Sequence, residues 1–155
     1  MNILCLDLVM NETGYAIFKN TQLKDYGIIS TSKIKESVEN IHSQKLKHIY
    51  NELIEISNKH KIDIVIIEDS FVRHNKATKA LSKVRGVAEL IFSDKQIILY
   101  PTRLIKKAVT DNGNASKEDM INKINEIYNL KIEDDNIADA VALGFYYLKK
   151  EKEVE

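Results

Sequence analysis

The sequence predicts an α/β fold built on a mixed five-stranded sheet, an antiparallel meander followed by parallel strands, with helices packed against it. Three observations predict it. Residues 2–31 hold three strand-like apolar runs joined by short turns. After residue 36 the apolar residues recur at helical spacing. Beyond residue 62 short apolar runs alternate with helical stretches, the pattern that lays strands parallel. A chain of 155 residues suits one domain over 1–155.

The elements follow in order. NILCLDLV (2–9) is a continuous apolar run and predicts a buried strand. TGYAIFK (13–19) is a second strand, with Asn11 to Gly14 as the turn before it, and LKDYGIIST (23–31) is a third. Val38, Ile41, Ile49, Leu53 and Ile56 predict an amphipathic helix over 36–60. DIVIIED (63–69) is a short apolar run ending in acids, as expected of a central parallel strand. Over 75–93 a helix returns, with Ala77, Ala80, Leu81, Val84, Val87, Ala88 and Ile91 along one stripe and Lys76, Lys79 and Lys83 along another. QIILY (96–100) is the fifth strand, and a short helix follows over 102–109. TDNGNAS (110–116) is a loop. Ser116 and Asp119 have capping-box spacing at the start of the next helix, and the last helix runs over 135–150.

Composition narrows the classes. No run of about 18 apolar residues exists, which argues against a membrane span. The N-terminus has no basic segment of the signal-peptide kind. The lone Cys5 sits in the first apolar run as a small hydrophobe, which fits a reducing, cytoplasmic setting. Basic and acidic residues balance at 23 each, yet their distribution is uneven. Arg73, Lys76, Lys79, Lys83, Arg85, Lys95, Arg103, Lys106 and Lys107 share a segment with just two acids, Glu89 and Asp94. A basic face beside an acidic site is the expectation.

The acids are the chemistry. Asp7 lies in the first strand's apolar run and Glu68 at the end of the fourth, where burial is costly without compensation. The C-terminal ends of parallel strands are where open α/β sheets bind ligands. Two carboxylates side by side there repel unless a proton or cation lies between them. DDNIAD (134–139) offers a third and fourth ligand. Asp135 and Asp139 are four residues apart, Asn136 and Asp139 three, and either pair shares a helix face. Asp134 or Asp135 is a candidate N-cap. Asp139 heads the apolar stretch AVALGFYYL and is expected to face inward. An all-oxygen set points to Mg²⁺ or Mn²⁺.

LDLVMNETGYAIF, VIIEDSF, KALSKVRGVAEL and DDNIADAVALG, in this order and spacing, resemble the RuvC family of Holliday junction resolvases, from Asn2 to about Leu148. The resemblance implies an RNase H-like fold and a homodimer that resolves four-way DNA junctions by paired, metal-dependent nicks leaving 5′-phosphates. It implies that Asp7, Glu68 and Asp139 hold metal, two ions per site, with Asp135 or Asn136 as the fourth ligand and the other capping the helix. It also implies that Lys106 and Lys117 lie near the scissile phosphate and that Phe71 stacks on a junction base. Arg73, Lys76, Lys79, Lys83, Arg85, Arg103 and Lys107 are then expected to hold the DNA backbone. The Ala-rich stripe of 75–93 is the expected dimer contact. The chain departs from the bacterial pattern at Leu8-Val9-Met10, often Pro-Gly-Ser, and at Asn136, commonly Asp or His. Its Lys- and Ile-rich, Gly-poor composition looks like phage or mobile-element members, which places it in a bacterial or phage-infected cytoplasm. Competing classes are an RNase H-like nuclease acting on RNA, of the YqgF type, and a non-catalytic junction-binding protein. An actin-like phosphotransferase lacks room in this length and has LVMNET where a Gly-rich phosphate loop is needed.

Overall fold

Alternation in the first strand sets the architecture. In β1 (Asn2–Asp7) Ile3 and Cys5 belong to one hydrophobic cluster and Leu4 and Leu6 to another, and all four are fully buried. A strand of that kind needs a packed layer on each face. The structure, a computed structural model, describes residues 1–35, 37, 39–70 and 76–154. β1 pairs antiparallel with β2 (Glu12–Lys19), which pairs antiparallel with β3 (Gln22–Ser30). On its other side β1 pairs parallel with β4 (Ile64–Asp69), and β4 with β5 (Gln96–Pro101). The sheet order is β3-β2-β1-β4-β5.

Two helices cover the Leu4/Leu6 face: α1 (Ile41–His60), through Ile49, Leu53 and Ile56, and α2 (Lys76–Ile91), through Val84 and Ala88. Three cover the other face: α3 (Thr102–Thr110), α4 (Lys117–Tyr128) and α5 (Asp135–Val154). α5 contributes the buried run Ala140–Leu143 and lies across β1 and β2. It comes close because two glycines admit it. A Cβ on Gly144 would stand 2.0 Å from the Phe18 ring, and one on Gly14 would stand 2.0 Å from the Asn136 carbonyl oxygen. No helix of the described residues is long and apolar enough to cross a membrane.

The expected mixed sheet and element order are present, with differences at the ends. Asn11 to Gly14 is not simply a turn, because Glu12, Thr13 and Gly14 already pair in β2. β1 stops at Asp7 rather than Val9. Leu8 and Met10 are buried without pairing, and the Thr13 hydroxyl pins the loop, donating to the Val9 carbonyl at 2.6 Å and accepting from its N–H at 3.2 Å. The Thr31 hydroxyl donates to the Met10 carbonyl at 2.6 Å and holds the loop from the other side. α1 begins at Ile41 rather than 36: Asn40 makes no side-chain cap, and the N–H groups of Asn40 and Ile41 both turn back to the Ser37 carbonyl. Val38, part of the expected helical pattern, lies outside the described residues. α5 runs on to Val154, since nothing in the exposed Lys149–Glu153 stretch breaks a helix.

Candidate metal centre

Strand register places the first two acids. Leu6 of β1 lies beside Ile67 of β4, so Asp7 and Glu68 follow as neighbours at the shared C-terminal end. Asp7 falls on the Ile3/Cys5 side by alternation, and Glu68 on the Ile64/Ile66 side, which is the same face. That face carries α5. Gly14, paired with Asp7, lets the first turn of α5 settle onto the sheet at Asn136, and Asp139 follows one turn later. Carboxylate oxygens of Asp7, Glu68 and Asp139 lie within 4.8 Å of one another.

The electrostatics match the crowding. Burial, then the carboxylates of Glu68 and Asp139, push Asp7 up to about 9. Burial, then Glu68 and Asp135, push Asp139 up to about 7, against the opposing pull of Lys106 and Lys117. Without a cation Asp7 keeps its proton at neutral pH, and Asp139 is about half protonated there. The donor set is all oxygen, anionic and confined, which fits a hard divalent ion.

The cleft around the trio holds about 450 Å³. The loop from Leu8 to Asn11 forms one wall, Ala77, Ala80 and Leu81 of α2 a second, and Lys117, Asp135 and Asn136 a third. Asp134, Asp135 and Asn136 are each expected as a cap of α5, and the structure selects the first of them over the other two. Asp134 takes that role, its Oδ1 accepting from the N–H groups of Asn136 at 2.8 Å and Ile137 at 3.2 Å. Asp135 instead pairs with the exposed Lys117. Asp134→Ala is expected to cost about 1 kcal/mol in a urea melt, the usual loss for an N-cap, and to leave Mn²⁺ affinity unchanged.

Thr102 was not visible as a site residue from sequence. Its hydroxyl donates to Glu68 Oε1. A Thr opening a short helix gives no signal on its own; only the register of β4 against β5 brings it to Glu68.

The basic residues do not form one continuous face. Lys76, Lys79 and Lys83 are exposed on α2, with Lys83 Nζ 3.0 Å from His42 Nδ1. Arg103 and Lys107 are exposed on α3, across the sheet. Lys106 is half-buried and donates to the Ala115 carbonyl at 2.8 Å. Arg85 is held between Asp69 at 3.3 Å and Glu89 at 2.9 Å, and Lys95 pairs with Asp94 at 3.1 Å. Phe71 and Arg73 lie outside the described residues. Of the Ala-rich stripe expected to meet a second copy, Val84 and Ala88 are buried in the chain's own core. Burial pushes the Cys5 thiol up, in keeping with a small apolar packing residue.

The family described as "Crossover junction endodeoxyribonuclease RuvC" matches residues 3–146. The curated protein of that name from Ehrlichia ruminantium (strain Welgevonden) is 33% identical, over 96% of each chain. The one from Alkaliphilus metalliredigens (strain QYMF) is 34% identical, over 93% of this chain and 90% of the other. Among solved structures, Thermus thermophilus RuvC in complex with a Holliday junction substrate aligns with TM-score 0.81 at 17% identity, covering 99% of this chain and 96% of the other. The yeast mitochondrial Holliday junction resolvase Ydc2 aligns with TM-score 0.69 at 8% identity, covering 98% and 79%. The fold is RNase H-like, as these neighbours share it. A converging acid trio on that fold, and a family match spanning nearly the whole chain, place this protein in the RuvC family of crossover junction endodeoxyribonucleases.

Proposed function

We propose that the chain hydrolyses phosphodiester bonds in four-way and related branched DNA by paired nicks that leave 5′-phosphates. The observation that carries the reading is the convergence of Asp7, Glu68 and Asp139 at the C-terminal end of the parallel strands. Bound Mg²⁺ or Mn²⁺, two ions per site, would supply Lewis-acid polarisation of the phosphate and a more acidic water. Asp7, Glu68 and Asp139 would hold the ions. Asp135 is the fourth ligand, supported by its contribution to the raised pKa values of Asp7 and Asp139. The Asn136 backbone is pressed onto Gly14 instead. Lys117 then leaves Asp135 and sets its ammonium against the phosphate, where charge builds during displacement.

Lys76, Lys79 and Lys83 on α2 and Arg103, Lys106 and Lys107 on α3 would give sequence-independent backbone contacts. Arg73 adds to this grip, Arg85 joins it when a phosphate displaces Asp69, and Phe71 stacks on a base exposed at the branch, worth about 1–3 kcal/mol. The working unit is a homodimer of single nuclease domains spanning 1–155 in a bacterial or phage-infected cytoplasm. The α2 face left open to a second copy carries Leu90, 71% exposed, and Gly86, which has nothing within 4 Å of its Cβ position.

The test is a labelled four-way DNA junction with Mg²⁺, with EDTA, and beside an RNA junction of the same sequence. Paired, religatable nicks in DNA with Mg²⁺ and none with EDTA are expected. Faster cutting of RNA would replace the DNA reading, and junction binding without product in Mg²⁺ would make the chain a binding protein.

A further inference from the structure

The Thr102 hydroxyl has a place in the site that is independent of the four acids. Glu68 of β4 lies beside Tyr100 of β5, and Asp69 beside Pro101. Pro101, with φ −64° and ψ 134°, ends the strand and turns the chain directly into α3. Thr102 is therefore the first helical residue, and it stands beside the end of β4 with no connecting loop. Its hydroxyl donates to Glu68 Oε1. Asp7 also hydrogen-bonds the Glu68 carboxylate from within the acid trio, and Thr102 is the donor that reaches it from outside the trio.

We propose that Thr102 is a positioning residue for the metal centre, holding the Glu68 carboxylate in the orientation that turns it toward Asp7 and Asp139. Glu is the longest of the three acid side chains, with three rotatable bonds where each Asp has two. It reaches the site from a half-buried strand end, with exposed Asp69 next in sequence. Left free, it would sample rotamers that point out of the cleft, and each must be given up when an ion binds. A donor on one oxygen removes that freedom beforehand and leaves the other oxygen for the ion. Asp7 and Asp139 are held differently, by a fully packed strand and by a helix clamped onto Gly14. Thr102 thus supplies to the flexible acid what the backbone supplies to the other two. Hydrogen bonds of this outer kind typically change metal affinity by about 10–100-fold when removed.

The inference rests on the metal-centre reading above, and its test separates the two. Free Mn²⁺ is followed by electron paramagnetic resonance while the DNA-free protein is titrated, for the parent, Thr102→Val, Thr102→Ala and Thr102→Ser. Val keeps the shape and loses the hydroxyl, Ala guards against misfit of the second methyl, and Ser restores the donor. Expected is at least about 10-fold weaker Mn²⁺ binding for Val and Ala, with Ser close to the parent and unchanged circular-dichroism melts. In junction nicking, the Mg²⁺ concentration for half-maximal rate should rise while the rate at saturating Mg²⁺ falls little. Val and Ala binding Mn²⁺ as tightly as the parent, or Ser as weakly as Val, would overturn the role of the hydroxyl and leave the metal centre standing. A parent that takes up no Mn²⁺ would overturn both.

Discussion

Asp139→Asn is expected to abolish junction nicking, by more than the roughly 100-fold that marks the loss of an outer-shell partner, in a protein that stays folded. The residue sits in a helix whose neighbours Ala138, Ala140, Val141, Ala142 and Leu143 are all fully buried, so the backbone there is fixed. Asn has nearly the same shape and can fill the same space. It brings no charge, and one of its two terminal atoms is a donor rather than an acceptor. Three negative ligands then remain of the proposed four, and α5 keeps only Asp135 facing the ion. Junction binding should survive the change, because backbone contacts come from Lys and Arg elsewhere. A gel-shift assay beside the cleavage assay reads both. An Asp139→Asn protein that cuts at the parent's rate would remove Asp139 from the mechanism.

The second large effect is on stability, and it has the opposite sign. In the metal-free protein Asp7 is pushed up to about 9 and Asp139 to about 7. An unfolded Asp titrates near 3.9. The folded state therefore binds these protons more tightly than the unfolded state does. Stability is highest below about pH 4 with respect to these two groups, and it is lost as pH rises through about 7 for Asp139 and about 9 for Asp7. In EDTA the melting temperature should fall between pH 6 and pH 9. Asp7→Asn should flatten that fall and melt higher than the parent at pH 8. Even one pKa unit is about 1.4 kcal/mol, or about 3–5 °C for a chain this size. Mg²⁺ should raise the parent at pH 8 and do little for Asp7→Asn, since a divalent ion stabilises the ionised trio only where the trio exists. Differential scanning calorimetry across pH, with and without Mg²⁺, checks each part. A parent whose EDTA melt is as high at pH 9 as at pH 6 would deny that these acids are crowded and dry. The two variants together describe a trade: the acids that hold the ion weaken the empty fold.

Much of this was legible in the sequence, and the reasons are local. Asp7 and Glu68 stand out because each interrupts or ends an apolar run, and Asp139 because it heads a buried helical stretch. Period alone separates strands from helices here, so the element order followed. What needed three dimensions was register. Glu68 meets Thr102 only through the pairing of β4 with β5, and nothing in the run YPTRL announces it. In one dimension Asp134, Asp135 and Asn136 compete for the cap, and Asp135 and Asn136 for the ligand. Backbone geometry assigns the cap to Asp134, while Lys117, from another helix, takes Asp135. Gly14 looked like a turn residue, yet its lack of a Cβ serves the approach of α5. The basic segment is visible in the sequence, but its distribution over the two faces of the sheet is not. Charge summed along the chain ignores that α2 and α3 pack on opposite sides of the sheet, and that Arg85 and Lys95 already have acidic partners.

The most direct measurement is anomalous diffraction from crystals of the parent soaked in Mn²⁺ at pH 8. The account predicts a peak between the carboxylates of Asp7, Glu68 and Asp139, about 2 Å from an oxygen of each, and its absence in Asp7→Asn. A parent crystal with no peak among these three acids, or with its bound Mn²⁺ held by other residues, would contradict it.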